Sequence, residues 1–351
     1  MLKIGVVGLA NVGKSTLFNA LTDAGALAAN YPFATIEPNT GVVPVPDERL
    51  AVLAKMYDTE KIVPAMVEFV DIAGLIAGAS KGEGLGNKFL AHIRECEIIC
   101  HVVRVFNDDS VLHVANNVNP KNDIEMVETE LILADMDTLE KFLPRIQREA
   151  KSGDKKALKV VETAERVLER LRNGERNTEN VEGLQLLSAK PVVMVFNMDE
   201  KELVDESLKK ELAGVVAPRS CVFVNAKLEE EMRMMGREER REFLESYGVV
   251  EDGLEQLVRA SYETLGLQSF LTAGKKEVRA WTVRRGALAP EAAGMIHTDF
   301  EKGFIAAQVC KYEDLVRLGS EKAVKDAGLM RTEGKGYEVR EGDVVEFRVG
   351  L

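Results

Sequence analysis

The stretch Gly8-Leu9-Ala10-Asn11-Val12-Gly13-Lys14-Ser15-Thr16 decides the fold of this chain. It follows an apolar run, Leu2 to Val7, that is typical of a buried strand, and it leads into Leu17 to Leu21, which is typical of a helix. The pattern G-x-x-x-x-G-K-[ST] between a strand and a helix indicates a phosphate-binding loop. We therefore expect backbone N–H groups and the N-terminus of the helix to surround the phosphates of a nucleotide here.

The side chains of this loop predict further contacts with a nucleoside triphosphate. Lys14 is expected to place its ammonium group on the β- and γ-phosphates, and the Ser15 hydroxyl is expected to ligate Mg²⁺. The other predicted nucleotide-binding residues of the loop are Asn11, Val12, Gly13 and Thr16. For Asn11 two interpretations stay open: it holds a K⁺ ion against the phosphates, as the similarity to cation-stimulated NTPases with Asn at this position implies, or it only tightens the loop.

Composition and charge narrow the class of protein. A chain of 351 residues predicts about two or three domains. The net charge of −12 argues against a protein that binds nucleic acid over its whole surface, but it allows a local basic face. No apolar stretch approaches the roughly 20 residues that span a bilayer, so no membrane is expected, and the N-terminus does not resemble a signal peptide. The cysteines contain no Cys-x-x-Cys pair, which predicts reduced thiols and a cytoplasmic location.

Two further segments are predicted to reach the phosphates. In the stretch Asn30 to Gly41, Thr35 is placed to contact Mg²⁺ and the γ-phosphate, although this stretch could also be a plain connecting loop. In Asp71-Ile72-Ala73-Gly74-Leu75, which follows a predicted strand, Asp71 is expected in the Mg²⁺ shell and the Gly74 N–H on the γ-phosphate. The glycine-rich stretch 77–86 is a candidate second switch.

Alternating strands and helices after a phosphate loop predict an α/β fold, with a doubly wound, mostly parallel sheet and ligand at the carboxyl ends of its strands. Two amphipathic stretches joined by Ser152-Gly153-Asp154 predict an inserted helical hairpin with a coiled-coil-like seam. From about Glu277 the pattern changes to alternating strands. The predicted domains are a P-loop nucleotide-binding domain over 1–276, interrupted by the hairpin at 123–188, and a small α+β domain over 277–351.

The chain resembles a known family, the YchF or Obg-like ATPases. The similarity rests on the phosphate loop and on segments spread over nearly the whole chain: Asn30 to Phe33, Glu37 to Gly41, Asp71 to Leu75, Lys81 to Asn87, Lys276 to Thr282 and His297 to Ile305. The resemblance implies a nucleotide domain of the Obg type, an inserted helical hairpin and a C-terminal TGS domain. It also implies ATP hydrolysis and association with ribosomes.

The base of the nucleotide is predicted from Asn197-Met198-Asp199-Glu200. Guanine-specific relatives carry Asn-Lys-x-Asp, whose Asp accepts two hydrogen bonds from guanine. Here Met198 replaces the Lys and the longer Glu200 replaces the Asp, so a carboxylate in the old position would be misplaced. This predicts an ATP-preferring pocket, with Asn197 and Met198 lining the base and Glu200 turned aside. A GTPase remains the alternative if Asp199 substitutes by a shift of register.

The group that orients the attacking water is the least defined part of the prediction. Related NTPases often carry Gln after Asp-x-x-Gly, and this chain has Leu75, which cannot hydrogen-bond to water. The resemblance implies His113 as the candidate, because the family has a similar loop after the fourth strand, and a plain surface histidine is the alternative. The predicted catalytic residues are Lys14, Gly74 and His113.

Two functional classes follow. One is a slow ATPase, and the other is a nucleotide-gated module that binds the ribosome or RNA and in which hydrolysis only resets the switch. The hairpin and the C-terminal domain, with Arg279, Arg284, Arg285 and Lys335, are candidates for RNA contact, although such charges are more often a solvated surface.

Overall fold

The structure, a computed structural model, describes residues 2–28, 40–72, 85–108 and 118–350. Three predicted site residues, Thr35, Gly74 and His113, lie outside these ranges, as do Leu75 and most of the two predicted switch segments. The chain forms two compact units. The N-terminal unit comprises Met1–Val43 and Glu68–Ser261, and the C-terminal unit comprises Pro44–Val67 and Tyr262–Leu351.

The strands follow the chain in this order: β1 (Lys3–Val7), β2 (Thr40–Pro44), β3 (Ile62–Val63), β4 (Met66–Asp71), β5 (Ile98–Arg104), β6 (Val192–Asn197), β7 (Cys221–Val224), β8 (Leu267–Ala273), β9 (Val278–Arg284), β10 (Phe304–Lys311), β11 (Arg331–Glu333) and β12 (Asp343–Val349).

The helices are α1 (Lys14–Ala28), α2 (Glu48–Tyr57), α3 (Leu85–Glu95), α4 (Pro120–Lys151), α5 (Lys155–Arg172), α6 (Glu200–Leu203), α7 (Glu206–Val216), α8 (Ala226–Glu231), α9 (Arg237–Ser246), α10 (Gly253–Thr264), α11 (Ala289–Ile296), α12 (Thr298–Lys302), α13 (Tyr312–Leu318) and α14 (Glu321–Asp326). In the part of the chain that the structure describes, none of them is long and apolar enough to cross a membrane.

The N-terminal unit is built on a sheet with the strand order β2-β4-β1-β5-β6-β7. The pairs β1–β4, β1–β5, β5–β6 and β6–β7 are all parallel. Every residue of β5 and β6 is buried, as expected for central strands covered on both faces. The strands of this sheet that follow β1 lie on one side of it as far as β4 and on the other side from β5 onward. The order therefore reverses at β1, so the phosphate loop lies at the point where ligands bind in open α/β folds. The predicted P-loop α/β fold is therefore confirmed.

The helical hairpin consists of α4 and α5, which bury a shared row of apolar side chains that includes Leu139, Ile146 and Val167. Gly153 forms the turn with φ +94°. The segment that returns to the sheet is fixed on α4 by the buried Asp135, whose carboxylate accepts from the N–H groups of Leu187 and Ser188 at 2.8 and 2.7 Å. This confirms the hairpin that the amphipathic pattern predicts.

The C-terminal unit contains a second sheet, with the order β11-β10-β12-β8-β9-β3. β8 and β9 form an antiparallel hairpin, and the predicted domain boundary after residue 276 falls in its turn. β3 joins β9 in parallel, with Ile62 opposite Val278, and α2 is held by the Arg49 guanidinium on Glu341 at 2.5 Å. The segment 44–67, assigned to the nucleotide domain by the sequence prediction, therefore packs with the C-terminal unit.

Some elements differ from the sequence prediction. The sequence predicts one helix from Lys201 to Val216, and the structure has two, α6 and α7. The Asp205 side chain accepts from the N–H groups of Ser207 and Leu208 and so starts a new helix. The sequence did not indicate β8, which is buried over its first five residues and has no polar alternation. The highly charged α9 was not predicted either.

Candidate nucleotide-binding site

Two glycines shape the turn between β1 and α1, and neither position has room for a side chain. A Cβ atom on Gly8 would lie 2.4 Å from the carbonyl oxygen of Val102 on β5. Gly13 has φ +92°, and a Cβ there would lie 2.2 Å from the amide nitrogen of Asn197. The glycine positions of the motif thus have a steric cause, which is the close approach of the loop to β5 and β6.

The remaining loop residues take three kinds of position. Asn11 is exposed and has φ 59°, in the left-handed region that Asn adopts more readily than most side chains. Val12 is buried, with 1% of its surface exposed, and anchors the loop to the core. Thr16 is half-buried on α1. The conformation of Asn11 supports its role in tightening the loop, and it leaves the K⁺ interpretation open.

Lys14 begins α1 and is buried, although it carries a charged group. Its Nζ donates to the carbonyl oxygen of Leu9, so the side chain lies across the loop. Burial lowers the pKa of Lys14 to about 8, and the negative charge of Asp71 opposes that shift. The contact with Leu9 thus fixes the position of the Lys14 side chain within the loop.

Ser15, in the first turn of α1, meets Asp71 at the carboxyl end of β4. The Ser15 hydroxyl donates to Asp71 Oδ2 at 3.2 Å. The other carboxylate oxygen, Oδ1, is buried and has no hydrogen-bond partner among the described residues. A buried carboxylate oxygen without a partner is costly unless it receives a cation or a donor. A hydroxyl beside a carboxylate also suits the oxygen preference of Mg²⁺, so these residues fit the ion that the motif predicts.

Other metal sites are not indicated in the ranges that the structure covers. No group of three or more His, Cys, Asp and Glu side chains there could hold a metal ion. The cysteines are free, as predicted, and burial raises the pKa of Cys96 and of Cys100 to about 12. These two thiols therefore behave as small apolar side chains.

Asn197 connects the phosphate loop to the far side of the sheet. Its Nδ2 donates to the carbonyl oxygen of Val12 at 3.0 Å, and its Oδ1 accepts from the N–H of Ala226 at 3.0 Å. Ala226 begins α8, whose N-cap is Asn225. The side chain is 5% exposed and its amide is oriented by these two partners. The sequence prediction placed Asn197 at the base, and it did not foresee the contact with the loop.

The three residues after Asn197 occupy different environments. Met198 is 1% exposed, and its N–H donates to the carbonyl oxygen of Val224 at 2.8 Å. Asp199 caps α6, accepting from the N–H groups of Lys201 and Glu202 at 2.9 and 2.8 Å. Glu200 is exposed. The Asp199 carboxylate therefore already caps α6. In the register-shift alternative, this carboxylate would have to bind guanine instead.

Three functional contacts were not found by sequence reasoning. They are the hydrogen bond from Lys14 to the Leu9 carbonyl, the hydrogen bond from the Ala226 N–H to Asn197, and the contacts of the buried Arg104. The Arg104 guanidinium donates to the carbonyl oxygens of Phe106 and Asp108 at 3.1 Å each and lies 4.4 Å from the Phe106 ring centroid. It thus shapes the segment that leads toward residue 113. A charged residue inside the apolar run 98–106 was the available signal for it.

The geometry can be compared with known proteins. Residues 3–136 match a family model described as 50S ribosome-binding GTPase, and residues 267–350 match the model of a YchF GTPase C-terminal domain, described as a protein of unknown function. The ribosome-binding ATPase YchF of Haemophilus influenzae is 49% identical over 360 residues, covering 99% of both chains. That of Bacillus subtilis is 49% identical over 364 residues, covering 100% of both. The solved structure of the Schizosaccharomyces pombe YchF GTPase matches with a TM-score of 0.87 at 34% identity, covering 99% of this chain and 97% of that chain.

Proposed function

This chain belongs to the YchF family, and on that premise we propose that it is a nucleotide-gated P-loop NTPase that binds ATP with Mg²⁺ and hydrolyses it. The observation that carries the proposal is the buried Lys14 beside the Ser15–Asp71 pair. The relatives that match this chain over 99% of its length are named as ATPases. Lys14 contacts the β- and γ-phosphates, and the loop from Asn11 to Thr16 surrounds them.

We propose that Ser15, Asp71 and Thr35 hold the Mg²⁺ ion. The ion supplies positive charge to the phosphate oxygens. Within the protein, Asp71 Oδ1, which has no partner among the described residues, gains one, and Ser15 stays beside it. The Gly74 N–H serves the γ-phosphate. K⁺, held by Asn11, is the proposed second cation. Equal hydrolysis rates in Na⁺ and K⁺ would remove Asn11 from that role.

ATP is the proposed substrate rather than GTP. Met198 is apolar and buried, Glu200 is exposed, and the Asp199 carboxylate already accepts from two N–H groups at the start of α6. These positions support a pocket without the carboxylate that binds guanine. The test is competition of ATP and GTP for one site. A GTP preference of about tenfold or more, equal to about 1.4 kcal/mol, contradicts the proposal and favours a GTPase.

Hydrolysis is proposed to be slow without a partner, because Leu75 cannot orient water. His113 is the proposed donor or base for this step. The His113→Ala variant should lose most of its turnover while it still binds ATP. If its turnover is unchanged, another group orients the water.

The proposed partner is the ribosome, after the named function of the relatives. Multiple-turnover ATP hydrolysis with and without ribosomes tests this, with GTP as the comparison. Strong stimulation supports the gated-module candidate, in which hydrolysis only resets the switch, and this candidate is favoured by Leu75. Equal rates with and without ribosomes support an enzyme that works alone.

We propose that RNA is contacted through the hairpin. Near its turn, Lys151, Lys155, Lys156 and Lys159 are exposed and form no ion pair among the residues the structure covers. Further along, the arginines are engaged: Arg166 with Glu179 at 2.5 Å, and Arg172 with Glu140 at 2.9 Å. The turn therefore carries the available positive charge, in a chain of net charge −12. That the C-terminal unit is a TGS domain and that the protein is cytoplasmic are also proposals.

A further inference from the structure

A cavity of about 260 Å³ lies in the C-terminal unit, between β8 and β12. The register pair of these two strands is Val344 with Leu271, and residues that follow this pair in each strand line the cavity. It is smaller than the clefts of about 300–1,000 Å³ that hold drug-sized ligands, so it suits a small molecule. Its apolar walls include Ile296, Phe300, Met330 and Phe347.

Three polar side chains line the cavity from one face of the sheet. Glu346 lies opposite Gln308, and Val344 lies opposite Cys310, on the paired strands β12 and β10. Residues that face each other across an antiparallel pair share a face of the sheet, and so do residues two apart in one strand. Glu346, Gln308 and Cys310 therefore present a carboxylate, an amide and a thiol on the same side.

Glu321, the first residue of α14, brings a second carboxylate to the cavity. Its Oε1 accepts from the Tyr57 hydroxyl at 2.6 Å. Burial raises the pKa of Tyr57, and the hydrogen bond to Glu321 and the charges of Glu321, Cys310 and Glu346 raise it further. Because both carboxylates act on one phenol, Glu321 and Glu346 lie in the same neighbourhood.

The negative charge of the cavity has no compensating cation in the lining. None of the described residues that line it is Lys, Arg or His. The Glu346 side chain forms no ion pair or hydrogen bond in the described part of the chain, and Glu321 has only the hydrogen bond from Tyr57 there. Lys322 is exposed and forms no ion pair with either carboxylate.

The other two polar side chains of this face also lack partners. Cys310 is 1% exposed and its thiol forms no hydrogen bond within the described ranges, and the same holds for the half-buried amide of Gln308. Buried polar groups are normally satisfied, so an unpartnered thiol that faces a cavity points to an occupant. A carboxylate accepts hydrogen bonds and a thiol accepts weakly, so the fitting occupant is a donor with positive charge.

A metal ion does not fit this arrangement. The ligands of one metal ion meet at a single point, and no group of three or more His, Cys, Asp and Glu side chains in the described ranges could hold one. Cys310, Glu321 and Glu346 therefore do not converge. Their spacing suits a ligand whose positive charges are separated by an apolar chain.

We propose that this cavity binds a linear aliphatic diamine, with one ammonium group on Glu346 and the other on Glu321. An ammonium group donates three hydrogen bonds, so Gln308 Oε1 serves as a further acceptor beside Glu346. The alkyl chain lies on the apolar wall, where the Phe300 and Phe347 rings also attract a cation. This site is separate from the proposed nucleotide function, because all of its residues belong to the C-terminal unit.

Calorimetric titration of the full-length protein with 1,5-diaminopentane tests the proposal, with pentylamine as the comparison that lacks the second ammonium group. The diamine should bind with a dissociation constant on the order of 1 mM or below, and about tenfold more tightly than pentylamine. In a series of diamines of increasing length, affinity should pass through a maximum, because two fixed carboxylates accept one spacing. Equal affinities of the diamine and pentylamine overturn the proposal.

Two matched variants separate this site from general attraction to a chain of net charge −12. Glu346→Gln keeps the shape of the side chain and removes its charge, so it should weaken binding of the diamine about tenfold and leave pentylamine nearly as strong a ligand. Glu313→Gln makes the same exchange on an exposed residue of α13, outside the cavity, and should change nothing. Equal losses in the two variants contradict a site at Glu346.

The position of the ligand is measured by NMR on the ¹⁵N-labelled full-length protein. The amide signals of residues 308–310 and 344–347 should shift and saturate with the diamine. Shifts that lie elsewhere, or that do not saturate, mean general ionic attraction and overturn the site. If a short oligolysine shifts these signals and the free diamine does not, the cavity accepts the side chain of a protein partner, and the free diamine is wrong. Glu346→Gln should leave basal ATP hydrolysis unchanged.

Discussion

The Asn197 side chain, at the end of β6, donates to the carbonyl oxygen of Val12 in the phosphate loop at 3.0 Å. Its oxygen accepts from the first N–H of α8, at Ala226. One buried amide therefore joins the loop that surrounds phosphate to the two strands that follow the hairpin. Because both partners are backbone groups, the amide fixes the loop at Val12 relative to the start of α8 at Ala226.

Replacing Asn197 by alanine should weaken both folding and nucleotide binding. The change leaves the Val12 carbonyl and the Ala226 N–H without their partner in a buried site, which costs about 1–3 kcal/mol of unfolding free energy. Urea unfolding and ATP titration measure the two effects. The control is Asn173→Ala, on the exposed end of α5, which should change neither. An Asn197→Ala variant as stable as the parent chain would show that these two hydrogen bonds do not contribute to the free energy of unfolding.

Replacing Asp71 by asparagine should remove the Mg²⁺ dependence of ATP binding. The variant keeps the size of the side chain but loses the negative charge beside Ser15, so affinity in Mg²⁺ should fall about tenfold or more, equal to about 1.4 kcal/mol. Affinity in the presence of a chelator should stay the same. Asp137→Asn, on the exposed surface of α4, is the matched control. A loss that is identical with and without Mg²⁺ argues against a metal ligand.

Nucleotide binding near pH 8 should take up a proton at Lys14. In the free protein the pKa of Lys14 is about 8, below its ordinary value of 10.5, because burial disfavours the ammonium ion. Phosphates restore the charged form, so binding at pH 8 takes up about half a proton. Calorimetry in two buffers of different protonation enthalpy measures this. At about pH 6 Lys14 is already protonated and the uptake should vanish; buffer-independent heats at pH 8 contradict the assignment.

The same shift predicts a stability effect in the free protein. Between pH 8 and pH 10.5 the unfolded chain binds more protons than the folded one at Lys14. The contribution of Lys14 to folding therefore becomes more favourable as pH rises through that window. The pH dependence of stability that Lys14 contributes is opposite in sign to that of Glu229, a carboxyl group whose pKa burial raises.

Glu229→Gln should flatten the pH dependence of stability. Glu229 on α8 is buried, accepts from the N–H of Gly253 at 3.0 Å, and faces Asp252 and Arg240. Burial, reinforced by Asp252, raises its pKa to about 8, whereas Arg240 opposes the shift. The folded chain thus holds a proton that the unfolded chain releases above about pH 4.5, and stability falls as pH rises toward 8.

Glutamine resembles the protonated acid and avoids this loss, so Glu229→Gln should be more stable than the parent chain by at least about 1 kcal/mol at pH 8 and similar at low pH. Urea midpoints at several pH values measure the difference. Glu230→Gln, on the exposed face of the same helix, is the control and should follow the parent chain. Parallel pH profiles of Glu229→Gln and the parent chain would rule out this role.

Reversing one charge near the hairpin turn should weaken ribosome binding in a salt-dependent way. Lys159→Glu removes an exposed cation, and each lost phosphate contact lowers the slope of log affinity against log salt by about 0.7–0.9. Lys210→Glu makes the same change on α7 and should have little effect. Co-sedimentation over a salt series measures both, and equal slopes for the two variants would mean that total charge alone matters.

Much of the fold could be predicted from local patterns. The phosphate loop follows from residue types at fixed spacing, and the parallel sheet follows from apolar runs alternating with helical periods. The hairpin was predicted because α4 and α5 show a helical period on both sides of a Gly turn. β8 was missed because the buried polar residues Gln268 and Ser269 interrupt its apolar residues, so the segment shows neither period. The break at Asp205 was missed because a helix cap competes with a continuing helix.

The sequence by itself determined that this protein has a phosphate-binding loop, a parallel sheet and a helical hairpin, since these depend on neighbours within a few residues. Tertiary structure alone decided that the segment 44–67 joins the C-terminal unit, that Asn197 reaches Val12, and that the Arg279 guanidinium carbon lies 4.0 Å from the centroid of the Trp281 ring. These contacts depend on which strands pair across long stretches of chain. Local spacing cannot encode that choice, because it is made by the burial of whole faces against one another.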